Sequence, residues 1–287
     1  MQNVKISDIR RILILSNPHI SRFNPLDVIL FYDDFDNGIN GWTEIIGNYP
    51  SEKLGDLDSL PADFSDMRPP MLSNIVMFDI GSHGSLNGHY CLKLATRPNK
   101  GHIALAGKRC TWPFKGKIKI EAYLTFKPEG PDGKINDVRA FRIGMDIQDD
   151  KRRSWPSIRY LISVDDRLYQ KWQYFLEGRP DAWKVAQSFE TVKWNDVKDG
   201  EQEFCYNETP TKINWHYVSF TFDLRTWEYI ELVCNDKRYD LSGIKPKTVE
   251  PYPLLRGLMN IGMFIQTNSN RRAFLYVDSI LVSIGDV

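Results

Sequence analysis

Residues 116–129 read GKIKIEAYLTFKPE, and this stretch decides the fold class. Ile118, Ile120, Ala122, Leu124 and Phe126 recur at every second position, with Lys117, Lys119, Glu121, Tyr123 and Thr125 between them. Successive side chains of an extended chain point to opposite sides, so the pattern predicts a strand with one buried and one polar face. Residues 138–148, VRAFRIGMDIQ, repeat it: Phe141, Ile143, Met145 and Ile147 toward a core, Arg142, Gly144, Asp146 and Gln148 away from it. In SIRYLISV, residues 157–164, Ile158, Tyr160, Ile162 and Val164 oppose Ser157, Arg159, Leu161 and Ser163. Further candidates are HYCLKLAT, HIALAGKR, LYQKWQYFL, HYVSFTFDL, EYIELVC, LMNIGMFIQT and AFLYVDSILVSI, which brings the total to about ten strands of ordinary length.

Turn residues separate these runs at Pro131-Asp132-Gly133, Glu177-Gly178-Arg179-Pro180, Asp199-Gly200, Asn235-Asp236 and Ser242-Gly243. Helical spacing is scarce. VKISDIRRILIL, near the N-terminus, predicts one short helix with Ile6, Ile9 and Leu13 on one side. Strands without intervening helices predict an all-β antiparallel sandwich or barrel. The chain has 287 residues, 42% of them hydrophobic, a size that sandwiches reach as a single domain. Residues 1–28 are expected to form an N-terminal extension packing on the domain, and residues 29–287 the β-sandwich. The Pro-, Asp- and Ser-rich segment 49–74 reads as a long surface loop.

Lys plus Arg and Asp plus Glu each number 37, so no basic excess points to nucleic acid. No window is long and apolar enough to span a membrane. The four cysteines form no CxxC pair, and the N-terminus lacks a secretory pattern. The expectation is a cytoplasmic protein with free thiols, no nucleic-acid or membrane partner and no organic cofactor.

Three stretches carry a resemblance. FYDDFDNGINGW, residues 31–42, resembles the first strand of concanavalin A-like and carbohydrate-binding jelly rolls. FLYVDSILVSI, residues 274–284, resembles their last strand. NWHYVSFTFDLRTWEYIELVCNDKRYDL, residues 214–241, resembles the laminin-G-type Trp-His hairpin, which implies a structural role for His216. The whole chain also resembles a bacterial family within that superfamily, a likeness that implies no activity. The resemblance implies a jelly roll whose first and last strands lie side by side, leaving no long unpaired edge. Phe35, Trp42, Phe274 and Tyr276 would then share one core. Asp33 or Asp34 would approach Asp278, where related jelly rolls hold a structural calcium, with Asp34 and Asp278 as ligands. The alternative is that these aspartates bind local amides as turn and strand-end residues.

The polar sheet face offers a ligand site. Arg142, Gln148 and Arg159, with Trp172 and Tyr174 beside them, suit a saccharide or glycoside: aromatic faces pack on sugar rings while polar groups bond hydroxyls. Asn260 and Gln266 add to this set, with Gly262 leaving room for a ligand. The alternative is a cross-strand ion-pair network on a solvated face. A glycoside hydrolase or lyase would need two carboxyls about 5 Å or roughly 6.5–9.5 Å apart, and Asp146 with Glu121 are the candidate pair. The Glu-x-Asp-x-x-Glu motif of the glucanase branch is missing. His83 and His89, in GSHGSLNGHY, read either as loop histidines or as groups flanking a ligand. Trp183 and Trp194 either line a groove or anchor the core. A third reading is a non-catalytic interaction protein that forms a homo-oligomer through the 49–74 loop and the sheet edges.

Overall fold

The computed structural model describes residues 6–44, 69–74, 85–110, 116–130, 132–177, 194–205, 214–251, 253 and 256–286. Among these are one α-helix, α1 (Ile6–Ser16), and the strands β1 (Val28–Asp33), β2 (Met71–Asn74), β3 (Tyr90–Ala95), β4 (Ile103–Cys110), β5 (Lys117–Pro128), β6 (Val138–Gln148), β7 (Arg153–Ser154), β8 (Ser157–Val164), β9 (Arg167–Phe175), β10 (Trp194–Glu201), β11 (His216–Asp223), β12 (Glu228–Cys234), β13 (Lys237–Asp240), β14 (Leu258–Thr267) and β15 (Ala273–Gly285). None of the described helical residues form a helix long and apolar enough to cross a membrane.

The strands form two antiparallel sheets packed as a sandwich. An eight-stranded sheet has the order β13-β12-β11-β5-β15-β3-β2, with β1 also pairing β15. A seven-stranded sheet has the order β10-β9-β8-β6-β14-β4, with β7 also pairing β6. The alternation places the core between them. Ile118, Ile120, Ala122, Leu124 and Phe126 of β5 and Phe141, Ile143, Met145 and Ile147 of β6 belong to one buried cluster. Aromatic rings fill its centre: Tyr160 stacks on Phe204 at 4.2 Å between centroids, and Phe204 on His216 at 4.5 Å. His216 also bonds the Cys205 carbonyl, and burial holds its pKa below the ordinary value.

The first and last strands pair as expected, from Val28 opposite Ile284 to Asp33 opposite Ile280. β15 carries a bulge between Asp278 and Ile280, where Ser279 has φ 58°. The extra residue shifts the inward set from odd to even positions: Leu275 and Val277 before it, Ile280, Val282 and Ile284 after it. Phe35 and Trp42 join the core, but Phe274 and Tyr276 do not, because they alternate with Leu275 and Val277 and take the outer face. Asp199-Gly200 is another correction. It is no turn but an irregularity inside β10, with Asp199 at φ 54°.

The N-terminal segment packs differently from its apolar spacing. Ile9 and Leu13 of α1 are 49% and 63% exposed. The packing comes from residues 22–26, which cross the outer face of the eight-stranded sheet. Phe23 lies edge-on to Tyr32 and Tyr123, and the Leu26 N–H donates to Ser283 Oγ at 2.9 Å. Of segment 49–74, residues 71–74 are β2, paired to β3, and residues 49–68 lie outside the described residues. Trp183 and His83 lie outside them too.

Candidate functional site

The outer face of the seven-stranded sheet gathers polar residues in cross-strand rows. Arg159 of β8 stands opposite Arg142 of β6, Arg142 opposite Phe264 of β14, and Phe264 opposite Leu105 of β4. In the next row Ser157, Gly144, Gly262 and Gly107 are neighbours. Beyond that, Asp146 faces Asn260 and Asn260 faces Arg109.

The glycine row is what lets the first row lie flat. A Cβ on Gly144 would collide with Ser157 and stand 3.2 Å from Arg142 Nε. A Cβ on Gly262 would stand 2.8 Å from the Phe264 ring. The space at Gly262, expected for a ligand, therefore holds Phe264. Arg142 lies 4.5 Å over that ring and donates from Nη2 to Ser157 Oγ at 2.8 Å. Trp194 of β10 covers both arginines, 4.4 Å from Arg159 and 5.7 Å from Arg142. Arg159 Nε donates to Gln173 Oε1 at 2.7 Å, and Gln173 Nε2 to Asp196 Oδ1 at 2.6 Å.

These side chains are not a solvated face. Arg142, Arg159 and Gln173 are 5%, 7% and 7% exposed. Burial depresses Arg142 to about 10, a shift that Tyr229 partly opposes. It depresses Arg159 to about 9, with the neighbouring charges of Arg139 and Arg142 adding to the effect and Asp196 opposing it. Both remain cations at neutral pH. Burial works against ionisation of Asp196, but hydrogen bonds from Gln173 and Lys171 outweigh it and hold its pKa low.

Arg142 and Arg159 thus stand side by side on one face. Asp146 shares the face but lies about 13 Å along the strand from Arg142, and it is engaged by Arg153 through two bonds of 2.8 and 2.6 Å. Asn260 joins that pair, donating to Asp146 Oδ2 at 3.4 Å and accepting from Arg109 Nε at 3.3 Å. Gln148 is buried at the end of the same face, opposite Arg153. Gln266 lies beyond Phe264 on the other side and donates to the Gly101 carbonyl at 3.0 Å.

Trp172 and Tyr174 are on the opposite side of β9. Trp172 is fully buried, edge-on to Phe141, with Nε1 donating to Gln202 Oε1; Tyr174 packs against Tyr229. The aromatic residues turn inward because the core takes the apolar phase of the alternation, which leaves Gln173 facing out. Gln173 and Phe264 were overlooked in the sequence. Gln173 was legible as the polar residue between the two aromatics.

The expected pair of Glu121 and Asp146 does not exist. Glu121 is on the outer face of the eight-stranded sheet, Asp146 on that of the other. With sheets about 10 Å apart, their carboxyls are farther apart than the roughly 9.5 Å that hydrolysis tolerates. Glu121 is fully buried under the N-terminal segment, where Oε1 accepts from the Asn24 N–H at 2.8 Å and the Tyr217 hydroxyl at 2.6 Å.

The aspartates of residues 31–42 act as local ties. Asp33 accepts from Trp42 Nε1 at 2.9 Å and Lys108 Nζ at 2.7 Å. Asp34 accepts from the Asp36 N–H at 3.2 Å, and Asp36 from the His89 and Tyr90 N–H groups at 2.6 and 2.8 Å. The His89 side chain is exposed. Asp278 accepts from the Asn87 N–H at 2.9 Å and the Ser279 hydroxyl at 3.1 Å. Among the described residues no group of three His, Cys, Asp or Glu is placed to hold a metal ion. Donors take both oxygens of Asp278 but only Oδ1 of Asp34, and among the described residues no third carboxylate, His or Cys joins the two, so the expected calcium at Asp34 and Asp278 lacks a ligand set here.

Fold and site together define a two-sheet antiparallel β-sandwich with a buried arginine–aromatic cluster on the outer face of one sheet. The chain belongs to the family described as Domain of unknown function (DUF6772), whose model matches residues 10–286. No curated protein matches the sequence. Among solved structures it is similar to the Emp46p carbohydrate recognition domain in its potassium-bound form, at 9% identity and TM-score 0.40, over 86% of this chain and 98% of that one. It is also similar to a glycoside hydrolase family 16 endo-glucanase from Bacteroides ovatus, at 13% identity and TM-score 0.44, over 88% of this chain and 100% of that one. Both are of the concanavalin A-like jelly-roll superfamily, which the two end strands resemble. Likenesses this distant say nothing of what this chain binds.

Proposed function

We propose that this protein binds a saccharide or glycoside on the outer face of the seven-stranded sheet, with Trp194 as the stacking surface and Arg142, Arg159, Gln173 and Asp196 as the polar contacts. One observation carries the reading: Arg159 lies against Trp194 and is bonded to Gln173, which is bonded to Asp196, so an aromatic plane and a fixed row of donors and acceptors share one patch. Sugar recognition uses this combination of a ring that covers C–H groups and a few oriented polar groups. Trp194 and Asn195 are partly exposed and Asp196 is exposed, which gives the patch an open rim.

A binding role is favoured over hydrolysis because the Glu121 carboxyl is on the far side of the sandwich and Asp146 is held by Arg153. A cytoplasmic setting is part of the proposal, and it makes a small glycoside the occupant rather than a polymer. The test is a thermal-shift screen of the protein against neutral and acidic aryl glycosides. A ligand that binds only the folded state at a hundred times its Kd adds about 2.7 kcal/mol of stability. The expected result is a raised Tm for at least one glycoside in the wild type and none in Trp194→Ala. No rise with any glycoside, or a rise that Trp194→Ala keeps, overturns the reading.

A further inference from the structure

Independently of the saccharide site, we infer that α1 lies on an anionic lipid surface, with Ile9, Ile12 and Leu13 turned into it. Six large hydrophobic side chains are exposed among the described residues. Four of them, Ile9, Ile12, Leu13 and Leu15, at 49%, 62%, 63% and 58%, are on this one helix of 11 residues. Residues three and four apart share a helix face, so Ile9, Ile12 and Leu13 form one stripe, with Leu15 to one side and Arg10 to the other. Among the described residues the one side-chain bond that ties α1 to anything beyond itself is Arg10 Nη1 to Asp27 Oδ1 at 2.7 Å, and Asp27 belongs to the same N-terminal segment. The stripe is not the product of a loose terminus. Residues 22–26, which carry the helix, are fastened to the eight-stranded sheet: the Asn24 N–H donates to Glu121 Oε1 and Lys119 Nζ to the Asn24 carbonyl, each at 2.8 Å.

Size and charge decide what covers the stripe. Four half-exposed aliphatic side chains make a patch of roughly a few hundred Å², the size that marks an interaction site. It falls short of the roughly 800 Å² per partner that a specific protein–protein interface buries. Residues 1–16 carry Lys5, Arg10 and Arg11 against Asp8 alone. In a pairing of α1 with the α1 of a second copy these charges would repel. An anionic headgroup layer attracts them, and it takes up a small apolar face without needing a complementary one. At about 1.5 Å per residue the helix is about 16 Å long, roughly half the hydrocarbon thickness of a bilayer, so it lies along the surface. The lack of a membrane-spanning window in the sequence does not bear on such a contact, since a helix lying in the interface needs none.

The experiment is co-sedimentation of the full chain with vesicles of phosphatidylcholine alone and of phosphatidylcholine mixed with phosphatidylglycerol. It compares the wild type with a double variant, Ile12→Gln with Leu13→Gln. Gln has a helix propensity close to that of the residues it replaces and removes the apolar stripe. One basic residue near an anionic surface is worth about five-fold in affinity, so the wild type should partition to the mixed vesicles at least about ten-fold more strongly than to the neutral ones. The double variant should lose that partition while keeping the wild-type Tm. No binding to the mixed vesicles, equal binding to both kinds, or binding that the double variant keeps overturns the inference. A wild-type dimer in light scattering that the double variant dissolves gives the stripe to a second copy and overturns it too. So does a lowered Tm, or a double variant that fails to fold, which would mean that Ile12 and Leu13 pack on the chain itself. None of these outcomes touches the saccharide reading.

Discussion

Replacing Asp278 by Asn should change how stability depends on pH. Asp278 is fully buried beside the bulge at Ser279, and its pKa is raised from 3.8 to about 6. Burial is the main cause; the N–H groups of Asn87 and Leu86 and the Ser279 hydroxyl pull it down, and Asp36 pushes it up. Between the unfolded and folded values the folded chain holds more protons, so stability falls as pH rises through that window. The contribution is fully present below the unfolded pKa and gone above the folded one. At about 1.4 kcal/mol per pH unit, the difference comes to about 3 kcal/mol. Asn keeps the shape and an acceptor for the Asn87 N–H but carries no charge. The assay is urea unfolding of wild type and Asp278→Asn at intervals from about pH 3.5 to about pH 8, taking the difference at each pH so that titrations common to both cancel. The variant should gain on the wild type by about 3 kcal/mol across the window and stay level above it. A difference that ignores pH, or one in which the wild type gains as pH rises, refutes the burial argument.

Two further substitutions probe the faces of the sandwich. Gly144→Ala places a methyl group against Ser157 and Arg142 Nε; overpacking of this kind costs about 1–3 kcal/mol, read by urea unfolding, and no loss would mean the cluster yields freely. Glu121→Ala leaves the Asn24 N–H and Tyr217 hydroxyl without their acceptor. It should cost about 2–3 kcal/mol and release the N-terminal segment, detected as faster tryptic cleavage at Arg22. Cleavage at the wild-type rate would show that the segment is held elsewhere.

The alternation in β5, β6 and β8 was readable because it is local. A strand with one buried face must repeat with period two, and Ile118 to Phe126 and Phe141 to Ile147 do so and lie in the core. The same pattern put Arg142 and Arg159 on the polar sides of their strands, but that the two strands are neighbours and set them opposite came only from the structure. Trp172 was misplaced because aromatic residues were assigned to the ligand side when the core had the stronger claim on them. Phe274 and Tyr276 were misplaced because a one-residue bulge at Ser279 shifts the phase of β15.

The amino-acid order alone thus determines which side chains of a strand point inward together, because side-chain direction depends only on the residue's own backbone. It does not determine which layer a strand joins. β5 and β6 are consecutive, yet β5 pairs β11 and β15 in one sheet while β6 pairs β8 and β14 in the other. That choice rests above all on β15 and β14, each more than a hundred residues along the chain from the strand it pairs, and it sends Glu121 and Asp146 to opposite sides of the molecule. It also brings Trp194 and Phe264 over Arg142. Tertiary structure alone decided these meetings, because they depend on long-range strand pairing that no local period encodes.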